Sequence, residues 1–256
     1  MSNIHVDNYE ITSYHVDFKQ RLTPVSLLCF LQESAWKHAQ SRGFGWHDLA
    51  LKQEFWILAK LHLIIHRMPE WRETIRLETW GKQPELLTAF RDFELFDGNK
   101  TSVITATSSW HILDMQNHKP VSMESFLGKF PIDPNRHAIE QKPEKIRLSD
   151  NHSTAGKLFT VKPSDIDMNQ HVNNTRYVQW AMDRIPFEFQ QTHVLREISV
   201  NFISESRIGE ECYIETSMEK DNIFLQAVIR KEDNRKLSLI KSYWVAGEQK
   251  TVLVST

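Results

Sequence analysis

The sequence predicts an α+β protein built from two similar halves, each with one long helix and a run of antiparallel strands. The segment Glu73–Thr79 (ETIRLET) reappears in outline as Glu210–Thr216 (EECYIET). A stretch with apolar residues at helical spacing precedes this segment in each half. Because two units side by side would cover each other's exposed edge strands, we expect them to join into one continuous sheet.

The first half is predicted to begin with a strand over Tyr9–Asp17 and to continue with a helix. Thr23 and Pro24 provide an N-cap and a first-turn proline, and apolar residues follow at helical spacing as far as Gly43. Apolar runs with partial alternation predict four further strands, at Phe55–Arg67, Thr74–Lys82, Leu87–Phe96 and Thr101–Asp114.

The second half repeats this order, starting with a predicted strand over Lys157–Val161. Asn173 provides the cap of a helix that Pro186 ends. Four strands are then predicted, at Leu195–Ser204, Glu210–Glu219, Ile223–Lys231 and Lys236–Ala246. The chain therefore divides into an N-terminal domain (1–131), a linker without periodicity (132–156) and a C-terminal domain (157–256).

The composition is that of an ordinary globular protein and excludes several classes of partner. The 256 residues carry 31 Lys and Arg against 33 Asp and Glu, so no bulk charge attracts nucleic acid or acidic membranes. Cys29 and Cys212 lie in apolar segments and are expected to be buried free thiols. The N-terminus lacks the basic start and apolar run that are typical of a secretory signal peptide. No stretch approaches the roughly 18 consecutive apolar residues that a membrane-spanning helix needs, so we expect a cytoplasmic protein.

The motifs of the common cofactor and metal enzymes are not found. The sequence has no Cys-x-x-Cys pair, no Gly-rich phosphate loop, no Gly-x-Ser-x-Gly and no His-Glu-x-x-His. We therefore expect neither a cofactor nor a metal ion.

The densest polar cluster is Ser164–Asn174, immediately before the second predicted helix. In an extended segment, Asp167, Asn169 and His171 would share one face. A carboxylate, an amide and an imidazole at a helix N-terminus, where free N–H groups can hold an oxyanion, are suited to hydrolysis. An Asp- and Asn-rich turn with a helix cap explains the same composition without chemistry.

The run DIDMNQHVNN (Asp165–Asn174), followed by Tyr177 and Trp180, resembles the signature of the acyl-acyl carrier protein thioesterases of plants and bacteria. Further features similar to that family occur in order along nearly the whole chain: Trp56, Pro69-Glu70-Trp71, Thr79-Trp80, Arg91-Asp92 and Ala106–Trp110. The resemblance implies a tandem hotdog fold, in which each domain wraps an antiparallel sheet around a long helix. It also implies that the N-terminal domain forms the acyl pocket and that the C-terminal domain is catalytic.

The resemblance assigns the family's catalytic positions to Asp167, Asn169, His171 and Glu205. Plant members often carry Cys after the catalytic Glu, whereas this sequence has Ser206, which weakens any scheme with a thiol nucleophile. The implied reaction is hydrolysis of fatty acyl-acyl carrier protein to free fatty acid and holo-carrier, by water that Glu205 activates. Direct attack by Asp167 through an anhydride is the alternative mechanism, and an acyl-CoA thioesterase or a non-catalytic acyl-binding module are the alternative functions.

The first half provides an internal comparison. Aligning Thr23 with Asn173 places Asp17 opposite Asp167, but it places Lys19 and Arg21 opposite the amide and the imidazole. One site per chain is therefore expected, with the first half free to shape the pocket. The apolar stripe of its helix is the candidate lining, although packing in the core explains the same stripe: Leu27, Leu28, Phe30, Leu31 and Trp36.

The expected partner is acyl carrier protein with a phosphopantetheine-linked acyl chain. The protein is also predicted to form a homodimer, and we expect it to bind neither nucleic acid nor a membrane. Arginines around the second helix are candidates for a basic docking surface: Arg176, Arg184, Arg196 and Arg207. Arg91 and Asp92 are predicted to form a local pair, with contact between Arg91 and the substrate as the alternative.

Overall fold

The computed structural model describes residues 3–126, 132–133, 135–148, 154–219 and 222–247. Its first half contains two helices, α1 (Pro24–Gln40) and α2 (Trp46–Ala50). The strands of this half are β1 (His5–Glu10), β2 (Glu54–Ile65), β3 (Thr74–Glu85), β4 (Thr88–Phe96) and β5 (Ser102–Asp114).

The second half contains the helices α3 (Asn174–Met182) and α4 (Phe187–Thr192). Its strands are β6 (Thr154–Ala155), β7 (Phe159–Thr160), β8 (His193–Phe202), β9 (Glu211–Glu219), β10 (Ile223–Arg230) and β11 (Arg235–Ala246). The order of long helix and strands is thus the same in both halves, as the repeat predicts.

All of these strands belong to a single sheet, in the order β1-β3-β4-β5-β2-β8-β11-β10-β9-β6, with β7 also paired to β9. Paired strands run antiparallel throughout. The two halves meet where Lys60–Ile64 of β2 pairs with Glu197–Asn201 of β8. The predicted α+β class and the continuous sheet are confirmed.

The long helices begin at the predicted caps and bury their apolar faces on one side of the sheet. Thr23 Oγ1 accepts the Ser26 N–H (3.1 Å), and Asn173 Oδ1 accepts the Thr175 N–H (2.9 Å). The two helices contact each other and share one core cluster with the sheet. Each large aliphatic side chain buried there contributes roughly 1.5 to 3 kcal/mol to stability.

Several predicted boundaries were wrong. The first strand ends at Glu10 instead of Asp17, because Ser13–His15 form a 3-10 turn in which the Thr12 N–H donates to the His15 ring (3.2 Å). Helix α3 ends at Met182, and Pro186 instead precedes α4, where its missing N–H costs no helical hydrogen bond. Neither of the short helices α2 and α4 was predicted.

The predicted linker packs against the sheet on the face away from the helices. We call residues 135–148 the strap. In the first half, the strap carbonyls of Arg136 and Ile139 accept hydrogen bonds from the side chains of Trp80 (2.9 Å) and Lys82 (2.6 Å). In the second half, the Asn201 amide bonds to the backbone of Glu144 and Ile146 in the strap (3.0 and 2.8 Å). The strap thus satisfies polar groups on the outer face of both halves.

No helix in the described ranges has the length and apolar character needed to cross a bilayer.

Candidate active site

The polar loop before α3 is a compact turn closed by its own aspartate. Asp167 Oδ1 accepts the backbone N–H of Asn169 (2.8 Å) and, over a longer 3.4 Å, that of His171. The Asp167 N–H in turn donates to the His171 carbonyl (2.8 Å), and Gln170 adopts a left-handed φ of 65°. The loop is therefore not extended, as considered from the sequence. Asp167, Asn169 and His171 nevertheless all line one cavity.

Glu205 reaches this loop from the segment that follows β8. The N–H groups of Ile203 and Ser204 both donate to the Leu237 carbonyl, so the chain leaves the regular ladder before Glu205. One residue further, the Ser206 carbonyl accepts the Val172 N–H (3.0 Å) and ties the segment to the polar loop. The predicted catalytic Glu thus lies just beyond a strand, not on it.

The His171 imidazole and the Glu205 carboxylate are in contact. His171 Nε2 lies 3.2 Å from Glu205 Oε2, and the two side chains are 20% and 40% exposed. An imidazole and a carboxylate at hydrogen-bond distance beside an open cavity form a pair that can accept and pass on a proton.

The N-terminus of α3 lies against the same space. Asn173 caps the helix and takes the Thr175 N–H, while Asn174 lies at the first helical position and also lines the cavity. The first amides of a helix have no intrahelical acceptor, and the helix dipole adds positive potential there. This end of the cavity therefore suits a developing negative charge.

The cavity has a volume of about 730 Å³ and extends from the polar loop into the first half. Its wall in the second half is formed by the polar loop, the start of α3 and Phe202–Glu205. Its wall in the first half is formed by α1, α2 and three strands, including Ala39, Trp56, Ala89 and Trp110. A long apolar ligand in this space would lie with one end beside the pair of His171 and Glu205.

The apolar stripe of α1 packs mostly in the core, as the alternative interpretation of the sequence has it. Trp36 lines the cavity, but Leu27, Leu28, Phe30 and Leu31 are buried in the core instead. These leucines and the phenylalanine face the sheet, so a neighbouring helix face, which includes Cys29 and Ala35, borders the cavity.

The two cysteines differ in their surroundings. Cys212 is buried, and burial raises the pKa of its thiol to about 11. Cys29 is exposed, which contradicts the prediction that both thiols are buried. Desolvation at the cavity wall still raises the pKa of Cys29, so neither thiol is activated as a nucleophile.

Arg91 is a buried cation in the cavity wall. It is 5% exposed and donates from Nη1 to His38 Nδ1 (3.0 Å) and Thr79 Oγ1 (3.1 Å). Burial lowers the pKa of Arg91 to about 10. Burial, followed by the charge of Arg91, lowers the pKa of His38 to about 3, so this imidazole is neutral and accepts the hydrogen bond. No sequence signal had marked His38.

Arg91 and Asp92 do not form the predicted pair. Consecutive strand residues point to opposite faces, and Asp92 lies on the outer face, 3.4 Å from Lys82 Nζ and beneath the strap.

Ser206 is turned away from the cavity. Its side chain is fully buried, and its hydroxyl donates to Glu210 Oε2 (2.6 Å), which also accepts the Arg207 N–H (3.1 Å). Glu210 is held in turn by Arg230 (3.2 Å). These residues support the turn that carries Glu205, and the sequence analysis had singled out neither Glu210 nor Arg230.

The first half contains the same loop without the same side chains. The Leu22 N–H donates to the Pro69 carbonyl (2.8 Å), as the Val172 N–H does to Ser206. By this correspondence Arg21 stands where the second half has His171, and Met68 stands where it has Glu205. A guanidinium and a thioether cannot replace a proton-accepting pair.

Three of the four arginines predicted as a docking surface are engaged locally. Arg176 contacts Ser164 and Asp165, Arg184 bonds to the Lys157 carbonyl, and Arg196 bonds to the carbonyl of His66. Among the described residues, no group of three or more His, Cys, Asp or Glu side chains is placed to hold a metal ion.

Two family models match the chain in succession. The acyl-ACP thioesterase N-terminal domain matches residues 2–127, and the acyl-ACP thioesterase C-terminal domain matches residues 148–246. Among curated proteins, the chloroplastic oleoyl-acyl carrier protein thioesterase of Coriandrum sativum is 28% identical over 84% of this chain and 63% of its own length. The chloroplastic acyl-[acyl-carrier-protein] hydrolase FATB1 of Cuphea viscosissima is 27% identical over 77% of this chain and 50% of its own. The chain thus spans between half and two thirds of the length of these relatives.

Solved structures show the same architecture over nearly the whole chain. An acyl-ACP thioesterase from Bacteroides thetaiotaomicron superposes with a TM-score of 0.87 at 27% identity, covering 95% of this chain and 98% of its own. The 12:0-ACP thioesterase from Umbellularia californica superposes with a TM-score of 0.85 at 20% identity, covering 96% and 99%. The fold is therefore the tandem hotdog.

Proposed function

The chain belongs to the acyl-ACP thioesterase family, and from this membership we propose that it hydrolyses fatty acyl thioesters of acyl carrier protein. The products are the free fatty acid and the carrier with its phosphopantetheine thiol. The observation that carries the proposal is the contact between His171 and Glu205 in the wall of a cavity of about 730 Å³.

In the proposed reaction, the acyl chain occupies the cavity and its thioester carbonyl lies at the N-terminus of α3. Glu205 accepts a proton from a water molecule, and the resulting hydroxide forms a bond to the carbonyl carbon. The oxyanion is held by the Asn174 N–H and the side-chain amide of Asn169. The carbon–sulfur bond then breaks, and the thiolate takes the proton from the pair of Glu205 and His171.

The loop geometry supports water over Asp167 as the attacking group. Asp167 Oδ1 is engaged by two backbone N–H groups of its own loop. Asp17 makes the same contacts in the first half, where the histidine and glutamate are replaced. An aspartate kept in both copies for loop closure needs no further role as a nucleophile, so we assign Asp167 to positioning.

The two alternatives make different predictions. An acyl-CoA thioesterase would use the same chemistry but would not distinguish carrier protein from coenzyme A. A non-catalytic acyl-binding module would bind the chain without releasing thiol, and it would have no use for a contact between imidazole and carboxylate. A domain division at 1–131, 132–156 and 157–256, a cytoplasmic location and a homodimer remain predictions beside this proposal.

The test is thiol release from a ladder of acyl-carrier substrates, beside acyl-CoA substrates of equal chain length. Glu205→Gln should lower kcat by roughly 10²- to 10⁴-fold, because a positioned general base contributes about that much to the rate. Glu211→Gln is the control, since Glu211 is an exposed carboxylate paired with Lys231 at the surface. Retained turnover in Glu205→Gln, or equal loss in both variants, contradicts the proposed mechanism. Equal turnover of coenzyme A substrates contradicts the proposed carrier.

A further inference from the structure

The first half contributes a side chain to the polar loop of the second. The indole Nε1 of Trp46, at the start of α2, lies 3.1 Å from Oδ1 of Asn169 and donates a hydrogen bond to it. Both residues line the cavity. This contact joins the two halves next to the proposed point of reaction.

The contact fixes which way the Asn169 amide faces. An indole N–H is only a donor, so the oxygen of the amide must face Trp46 and the NH₂ group must face away from it. The Asn169 backbone is held as well, because its N–H donates to Asp167 Oδ1 (2.8 Å). The side-chain NH₂ group is therefore turned away from Trp46 and keeps its N–H donors for another acceptor.

The backbone segment that carries Trp46 is fixed by its neighbours in sequence. Phe44 and Leu49, before and after Trp46, are buried in one cluster, and Trp56 Nε1 donates a hydrogen bond to the Phe44 carbonyl (2.9 Å). Gly45 allows a close approach that no other residue permits, since a Cβ there would lie 2.8 Å from the Cα of Gln40. The indole is thus carried by an anchored turn.

We propose that Trp46 is a positioning residue, which holds the Asn169 amide so that its NH₂ group donates to the thioester carbonyl as the oxyanion forms. The inference rests on the proposed function and deepens it, because one active site is then assembled from both halves. Removing an oxyanion donor outright costs about 10²- to 10³-fold in kcat. Losing only its orientation should cost less, and we expect about 5- to 30-fold.

The kinetic experiment is a double-mutant cycle on thiol release from acyl-carrier substrates. Trp46→Phe keeps an aromatic ring but removes the N–H, and it should lower kcat by about 5- to 30-fold with little change in KM. The matched control is Trp71→Phe, the same change at an exposed tryptophan in the loop between β2 and β3. In the background of Asn169→Ala, Trp46→Phe should have an effect of less than about 2-fold, because its partner is gone. An equal effect in both backgrounds, or an equal effect of Trp71→Phe, overturns the inference.

A second measurement does not depend on activity. The eight tryptophans give indole N–H signals in a ¹H–¹⁵N spectrum, and the signal lost in Trp46→Phe assigns Trp46. Asn169→Ala should shift that signal and speed its exchange with solvent, while the signal of Trp71, in the loop between β2 and β3, stays in place. An unchanged Trp46 signal overturns the contact itself. Wild-type protein that releases no thiol while this shift is present contradicts the proposed function and leaves the contact standing, so the two failures are distinguishable.

Discussion

Asp17 and Asp167 close two copies of the same loop. Each carboxylate accepts the N–H groups two and four residues further along, at 2.8 and 3.1 Å in the first half and 2.8 and 3.4 Å in the second. In each loop a glutamine follows with a left-handed φ, Gln20 at 59° and Gln170 at 65°. The conformation of the loop therefore does not depend on the imidazole, since the first half has the same loop with Arg21 in that position.

This relationship predicts how Asp167 responds to substitution. Asp167→Asn keeps an oxygen acceptor for the loop, so kcat for thiol release should fall by less than about 10-fold. Asp167→Ala removes the acceptor and should cost more, because the Asn169 and His171 backbone then loses its support. Asp17→Asn is the control and should leave kcat unchanged. A loss in Asp167→Asn as deep as that in Glu205→Gln would instead indicate attack by the Asp167 carboxylate.

His38 predicts a loss of stability at acid pH. Its pKa is about 3 in the folded protein and about 6.5 in a model peptide, so below pH 6.5 the unfolded chain binds a proton that the folded protein does not. The free energy of unfolding should fall by up to about 1.4 kcal/mol per pH unit between pH 6.5 and 3. His38→Asn keeps an acceptor near Nδ1 without titrating, so its urea midpoint should fall less than that of wild type between pH 7 and 5. Parallel curves would contradict the assignment.

The ion pair beneath the strap predicts a large effect on stability. Lys82 and Asp92 are both buried, and burial raises the pKa of Asp92. Lys82→Met leaves this carboxylate without its cation and should lower the free energy of unfolding by about 3 to 5 kcal/mol at neutral pH. The loss should shrink as the pH falls, because Asp92 can then take a proton. Lys231→Met, at an exposed pair, should change stability by less than about 1 kcal/mol in the same urea titrations.

Ala89 predicts a shift in the preferred acyl chain. It is buried in the part of the cavity wall that the first half forms. Ala89→Leu fills part of the cavity there, so the optimum of kcat/KM across a ladder of chain lengths should move to shorter chains. Each methylene that no longer fits is worth about 0.8 kcal/mol, or roughly 4-fold. Full activity on short chains would show that the fold is intact, and an unchanged optimum would place the chain elsewhere.

The sequence predicted the features that depend on neighbouring residues. The helix starts at Thr23 and Asn173 are set by caps within a few residues, and the repeat showed that both halves share one order of elements. The proximity of His171 and Glu205 came from the family resemblance, since nothing in their local sequence joins them.

Contacts between distant segments could not be predicted in this way. Trp46 and Asn169 lie 123 residues apart in the sequence, and the residues around each of them give no indication that the two are in contact. The strap looked like a free linker because its sequence has no apolar periodicity, whereas its contacts are made by backbone groups and by the Arg136 side chain, which pairs with Glu78 and Glu94. The helix face that borders the cavity depends on how α1 lies between the sheet and α3, so apolar periodicity identified the core and not the pocket.

The pairing of β2 with β8 has a consequence for how substrate can be admitted. Lys60–Ile64 and Glu197–Asn201 form one backbone ladder across the middle of the molecule. Separating the two halves at this point would break these hydrogen bonds, so we expect them to stay joined when substrate binds. Any widening of the cavity would then come from the helices and loops around it, which lie outside this ladder.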